Sequence, residues 1–241
     1  RWEDVNPRIF RELDIKIDKV HWFSTYHVHH RVAATFQKGR AFLLGDAGHI
    51  HSPVGGQGMN TGIGDAVNLA WRLGEVLQGR AKANILETYN TERIAFAERL
   101  VRTVDRAFEF ITASGRWARI VRTKFVPVAL RALVSLPAIR RLMFRTVSQT
   151  NITYRDQSEN QGRAVGIQSG DRLPWIESVD NFEPLKSLAW QIHVYGQRNM
   201  QALDTSLPLH RFPWSEEMAR KGLKEGAAYH IRPDGYVGRV L

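Results

Sequence analysis

Seven of the chain's 19 glycines fall between Gly45 and Gly64, inside the stretch GDAGHIHSPVGGQGMNTGIGDAVNLAW that runs from Gly45 to Trp71. Glycine serves where backbone must approach another group closely or where φ is positive. A loop this rich in it is therefore built around something. Just before the loop stands a carboxylate, Asp46, directly after the apolar run Ala41-Phe42-Leu43-Leu44 and Gly45. The run predicts a buried strand, and open α/β sheets bind ligands at the C-terminal ends of their strands. A carboxylate there can accept hydrogen bonds from sugar-like hydroxyls. Pro53 stiffens the loop, while Gly55, Gly56 and Gly58 leave its backbone bare. The loop feeds a helix beginning near Met59, whose first N–H groups have no intrahelical acceptor and carry partial positive charge. They suit an anion or a polar heteroatom lying close to the helix end. Taken alone, Asp46 could equally cap a turn.

Gly56-Gln57-Gly58-Met59-Asn60-Thr61-Gly62 nearly spells the dinucleotide fingerprint, but its third glycine comes one place late. The strand-to-helix loop is also too long for that tight turn, so a first pyrophosphate loop is rejected. His27, His29, His30, His49 and His51 lie within 25 residues. On a strand, His27 and His29 would share a face, which makes a metal site one reading. No acidic or cysteine ligand accompanies them at a recognised spacing, so the competing reading is a polar cleft or surface, with His49 and His51 near whatever the loop binds. Cysteine is absent, which excludes disulfides and thiolate chemistry and fits a cytoplasmic protein.

The elements that must position these groups follow from periodicity. Weak alternation over residues 1–39 (Leu13, Ile15, Ile17, then Trp22, Phe23, Tyr26, Val28) predicts strands. Met59, Ile63, Ala66, Val67, Ala70, Leu73 and Leu77 fall at helical spacing, with Gly79 as the stop. A second helix is predicted from about Ile85 to Ile111. Between Glu109 and Asp156 there is no acidic residue, against Arg116, Arg119, Arg122, Lys124, Arg131, Arg140, Arg141, Arg145 and Arg155. These nine carry nearly all of the net charge of +10. The stretch reads as helical, broken by Pro127 and Pro137. It is a local patch, a solvated face or an oligomer contact such as a homodimer, and a membrane-surface helix is the less favoured reading. No nucleic-acid-binding motif accompanies it. From Asn151 the pattern changes to short strand-like pieces (188–195, 228–231, 236–240) between Gly, Pro and Asp turns.

The block from Gly45 onwards resembles the second FAD motif of the flavoprotein aromatic hydroxylases, the family of p-hydroxybenzoate and phenol hydroxylases. The segment His51-Ser52-Pro53 with Gly56-Gln57-Gly58-Met59-Asn60 is close to the phenol hydroxylase branch. The likeness extends to Gly39–His49 before it and to Asp65–Leu73, Leu86–Tyr89 and Glu92-Arg93 after it. Gly48 stands where Ala is usual. The resemblance implies that Asp46 holds the ribityl chain, and that Pro53, Gly55 and Gly56 lie along the isoalloxazine ring. Amides near Gly58, Met59 and Asn60 would face the ring edge that gains negative charge on reduction. Gly45 and Gln57 complete the implied cofactor-binding set. It further implies an FAD-dependent monooxygenase that uses NADH or NADPH and O2, through a flavin C4a-hydroperoxide, on a small phenol-like or polyketide-like aromatic substrate.

The expected architecture is α/β. Residues 1–39 would end a substrate-binding sheet, 40–112 would be the C-terminal part of the FAD-binding domain and 113–165 a basic helical segment. Residues 166–241 resemble the family's thioredoxin-like C-terminal domain through Tyr229–Gly238, with no Cys-x-x-Cys and hence no thiol redox role. The family's first FAD motif, its second nucleotide motif and most of its substrate sheet are missing, and the chain opens at Arg1 without Met. The expectation is a piece of a longer protein that does not hold FAD tightly alone. No catalytic side chain is assigned. The competing readings are an FAD-dependent reductase or dehydrogenase of the same fold, and a non-catalytic interaction module.

Overall fold

A computed structural model describes residues 1–25, 27–53, 56–155, 166–197 and 206–241. Near the start, Asn6 caps a short helix α1 (Pro7–Glu12) by accepting the Arg8 N–H at 3.0 Å, with Pro7 in the first turn, where no N–H is needed. The strands expected across residues 13–28 are not formed. Ile15, Ile17 and Trp22 stand exposed in irregular chain. Alternation alone does not make a strand, because backbone N–H and C=O groups need a partner strand to bond. Tyr26 lies outside the described residues. Short antiparallel pairs follow: β1 (Arg31–Val32) with β4 (His49–Ile50), and β2 (Gln37–Lys38) with β3 (Ala41–Phe42). The predicted buried strand 41–44 is thus only a two-residue hairpin arm, with Leu43 and Leu44 exposed.

Two helices form the next layer. α2 (Gly58–Leu77) ends where predicted, with Gly79 at φ +71°. α3 (Glu87–Thr112) runs on from a 3-10 turn at Ala83–Leu86. Phe36, Leu69, Tyr89 and Ala97 form the apolar core between them and the β-hairpin. The side of α2 that faces this layer is mostly polar, for Thr61, Asp65, Asn68, Arg72 and Glu75 are buried. Apart from Leu73, which packs against that core, the apolar stripe noted in the sequence points away, with Met59 76% and Leu77 82% exposed.

The basic segment forms α4 (Arg116–Ile120), α5 (Val126–Val134) and α6 (Pro137–Val147). Pro137 opens a new helix, as expected. Pro127 instead sits in the first turn of α5, and the wider π-helical turn Val121–Phe125 leads into it from α4 without a loop.

In the C-terminal part, β5 (Gln191–Tyr195), β6 (Leu209–Phe212), β7 (Ala228–Ile231) and β8 (Val237–Val240) form a sheet in the order β6-β5-β7-β8. β5 and β6 are parallel, and the other two neighbours are antiparallel. The short helix α7 (Glu216–Arg220) places Met218 in the core. One sheet face packs Leu173, Ile176, Tyr195, Met218, Tyr229, Ile231, Val237 and Val240, and the other covers Ile192, Val194 and Ala228. With both faces covered, β5 is buried throughout. Among the described residues no helix is long and apolar enough to cross a membrane, and no group of three or more His, Asp or Glu side chains is placed to hold a metal ion.

Candidate functional site

Gly45, Asp46 and Ala47 form a 3-10 turn after β3, and the chain then enters β4 at His49. Gly45 has φ +57°, a conformation that glycine adopts without strain. On the far side, α2 begins at Gly58, and no side chain caps its first turn. Between turn and helix lies a cavity of about 630 Å3, lined by Gly45, Asp46, His51, Ser52, Pro53, Gly56, Gly58, Met59 and Gly62. The structure therefore brings together Gly45, Asp46, Pro53, Gly56, Gly58 and Met59 from the residues singled out in the sequence. Gly55 lies outside the described residues. Gln57 and Asn60 flank the helix start but do not line this cavity. Gln57 is near Gln149, whose side-chain amide lies 3.4 Å from it, and Asn60 lines a separate cavity of about 290 Å3.

The glycines give the cavity bare walls, and the unpaired N–H groups of the first turn of α2 give one end partial positive charge. Asp46 supplies an exposed carboxylate at the other end. His51 Nδ1 donates to the Ser52 carbonyl at 2.8 Å. A carbonyl only accepts, so this bond fixes the proton on Nδ1 and leaves Nε2 on the side of Gly58.

Behind the cavity stands a group of buried charges whose pairing no local sequence pattern assigns. Asp65 Oδ2 accepts the Gly45 N–H at 2.9 Å and lies 2.7 Å from His49 Nε2. Asp65 Oδ1 accepts the Arg93 Nε–H at 2.6 Å. Arg93 is held in turn by the Tyr154 hydroxyl at 2.8 Å and the Thr61 carbonyl at 3.2 Å. Burial alone would push the Asp65 pKa up, but His49, Arg93 and the Gly45 amide outweigh it and hold the carboxyl below its ordinary value. The His49 ring stacks near-parallel on His51, 6.4 Å between centroids. Of the other histidines, His27 and His29 lie side by side at 6.3 Å, and His30 pairs with Asp105. Gly48 abuts Phe36, whose ring would sit 3.3 Å from an added Cβ.

A second polar group joins this layer to the C-terminal sheet. Glu92 accepts from Asn68 at 2.8 Å, pairs with Arg72 at 2.8 Å, and receives Arg232 at 2.7 and 3.0 Å. Arg232 also binds Asp234, which accepts the Trp71 indole N–H at 3.0 Å. Burial raises the Glu92 pKa, but the two arginines and Asn68 bring it down to about 2. Pro233-Asp234-Gly235 reads in the sequence as a hairpin turn, and nothing local announces the docking role of Arg232 and Asp234. A signal for the buried polar seam was present: Thr61, Asp65, Asn68, Arg72 and Glu75 recur at helical spacing, a polar stripe as regular as the apolar one.

Residues 1–104 match the family model described as "FAD binding domain". Among curated proteins, the chain is 37% identical over 165 residues to pentachlorophenol 4-monooxygenase of Sphingobium chlorophenolicum, covering 67% of this chain and 29% of that protein. It is 33% identical over 238 residues to rifampicin monooxygenase of Rhodococcus hoagii, covering 94% and 44%. Among solved structures, BexE, studied for oxidation during BE-7585A biosynthesis, superposes with a TM-score of 0.70 at 28% identity, over 100% of this chain and 49% of that one. The chain thus spans about half or less of the length of each of these relatives.

Proposed function

Because this chain belongs to the family of FAD-dependent aromatic hydroxylases, we propose that its cavity at the N-terminus of α2 holds the flavin end of FAD in a monooxygenase acting on a phenol-like or polyketide-like ring. The observation that carries this reading is one cavity walled by Asp46, by Pro53 and by the open first turn of α2. The residues fit the group. A ribityl chain needs a hydrogen-bond acceptor, which Asp46 provides. A flat ring needs bare walls, which Gly56, Gly58 and Pro53 provide. The N–H groups of Gly58 and Met59, which line the cavity, would stabilise negative charge on the ring edge nearest to them.

FAD bound there would supply hydride acceptance from NADH or NADPH and activation of O2 for ring hydroxylation. This chain's part is to bind the ribityl chain, orient the ring and polarise one edge of it. The names of the relatives, pentachlorophenol 4-monooxygenase and 6-methylpretetramide 4-monooxygenase among them, support an aromatic substrate. The order β6-β5-β7-β8, with one parallel pair and an antiparallel edge hairpin, supports a thioredoxin-like C-terminal domain over residues 166–241. Without cysteine, that domain would serve structure and docking.

The test is an assay of the intact protein with FAD, NADH or NADPH, a panel of phenols and polyketide aromatics, and isotopically labelled O2. One labelled oxygen in the product ring is expected. Reductant consumption that never labels a ring would overturn the hydroxylase reading in favour of a reductase of the same fold.

A further inference from the structure

We propose that Asp65 is a positioning residue that sets the two walls of the flavin cavity against each other. The inference rests on the FAD reading above. One wall is the chain from Gly45 to Pro53, and the other is the first turn of α2. Asp65 stands two turns into α2 and binds the opposite wall at two points. It takes the Gly45 amide where the 3-10 turn begins and the His49 imidazole where the turn has passed into β4. Asp46 sits between these anchors, so its carboxylate is aimed by a segment that Asp65 ties down on both sides.

Each carboxylate oxygen has a distinct task. Oδ2 receives both bonds from the turn, and Oδ1 receives Arg93 from α3. Arg93 is fixed by Tyr154 and by the Thr61 carbonyl, which belongs to α2 itself. The helix and the turn can come this close because glycines face each other across the gap. A Cβ on Gly62 would lie 3.5 Å from the Gly45 Cα. The contact continues outward, since His49 stacks on His51 and His51 lines the cavity. Moving Asp65 therefore moves Asp46 and His51 relative to the N-terminus of α2.

A buried ion pair is more often simply structural. Glu92 provides the control, for it is also a buried carboxylate in the same α2–α3 layer and it also pairs with arginines. Its partners Asn68, Arg72 and Arg232 do not line the flavin cavity. A purely structural role predicts that the two carboxylates behave alike.

The experiment measures FAD dissociation constants by titration, and Tm on the same samples, for the intact wild-type protein and for Asp65→Asn and Glu92→Gln. Both variants should lower Tm. Asp65→Asn should raise the FAD Kd about tenfold or more, since it weakens charge-assisted bonds that aim Asp46, while Glu92→Gln should leave the Kd within about twofold of wild type. Equal Kd values for the two variants would overturn the assignment. Should Asp65→Asn fail to fold, His49→Leu, which keeps the Asp65–Arg93 pair, decides the matter. A Kd rise of about threefold or more supports positioning, and an unchanged Kd overturns it. A wild-type protein that takes up no FAD removes the underlying reading, an outcome that the variants cannot mimic.

Discussion

The layer of α2 and α3 and the C-terminal sheet are built on opposite plans. In the sheet, apolar side chains are buried on both faces, and Ile192, Tyr195, Met218, Ile231 and Val237 are almost wholly out of solvent. In the helical layer the seam is charged. Asp65, Arg72, Glu92 and Arg93 are buried there, while Met59, Ile63, Val67 and Leu77 of α2 stay exposed. Apolar packing is non-directional and tolerates small shifts, whereas hydrogen-bonded charges fix distance and angle. The difference teaches where this molecule needs geometry. The buried ion pairs lie under the turn that carries Asp46 and at the docking point of Arg232, while the sheet core is mainly apolar, with neutral bonds such as Asn181–Tyr195 and Gln191–His193.

The largest expected effect breaks the charged seam. Glu92→Gln should cost about 3–5 kcal/mol in denaturant unfolding, because it leaves Arg72 and Arg232 buried without a full counter-charge. Adding Arg232→Met should recover part of that loss, since the two sites share one network. Met218→Ala in the core of the sheet, away from the Glu92 network, should cost about 2–5 kcal/mol through the cavity it leaves. Its cost should simply add to that of Glu92→Gln. Additivity in the first pair, or strong coupling in the second, would erase the contrast between the regions.

A smaller effect separates the regions by pH. Burial, helped by His210, holds the His193 pKa down at about 3 from 6.5. Below pH 6.5 the unfolded chain binds a proton that the folded sheet refuses, so stability falls as pH drops toward 3, by about 1.4 kcal/mol per pH unit. The seam behaves differently. Glu92 is stabilising when ionised, so its contribution is intact above pH 4.5 and is lost as pH falls toward 2. The sheet should therefore weaken first on acidification. Replacing His193 with Gln, which does not titrate, should flatten the slope between pH 6.5 and 4.5 in equilibrium unfolding. An unchanged slope would place the titrating group elsewhere.

The sequence was most readable where the signal is local. α2 and α3 follow from spacing and from Gly79, and β5, β7 and β8 follow from apolar runs between turn residues. The cavity wall was readable too, because glycine density and Asp46 are features of consecutive residues. Long-range pairing was not. Asp65 meets Arg93 and His49, and Glu92 meets Arg232 across 140 residues, which no local pattern announces. The expected strands in residues 13–28 failed for the same reason, since a strand is defined by a neighbour that the local pattern does not name. Helical periodicity also does not say which face is inward, and on α2 it is the polar one.

The most direct measurement is an FAD titration of the intact protein against its Asp46→Ala variant, followed by flavin fluorescence. Asp46 carries the exposed carboxylate of the cavity, so its loss should weaken FAD binding by about tenfold, the worth of one charge-assisted hydrogen bond or more. An FAD affinity that is the same in both proteins would contradict the placement of the cofactor in this cavity.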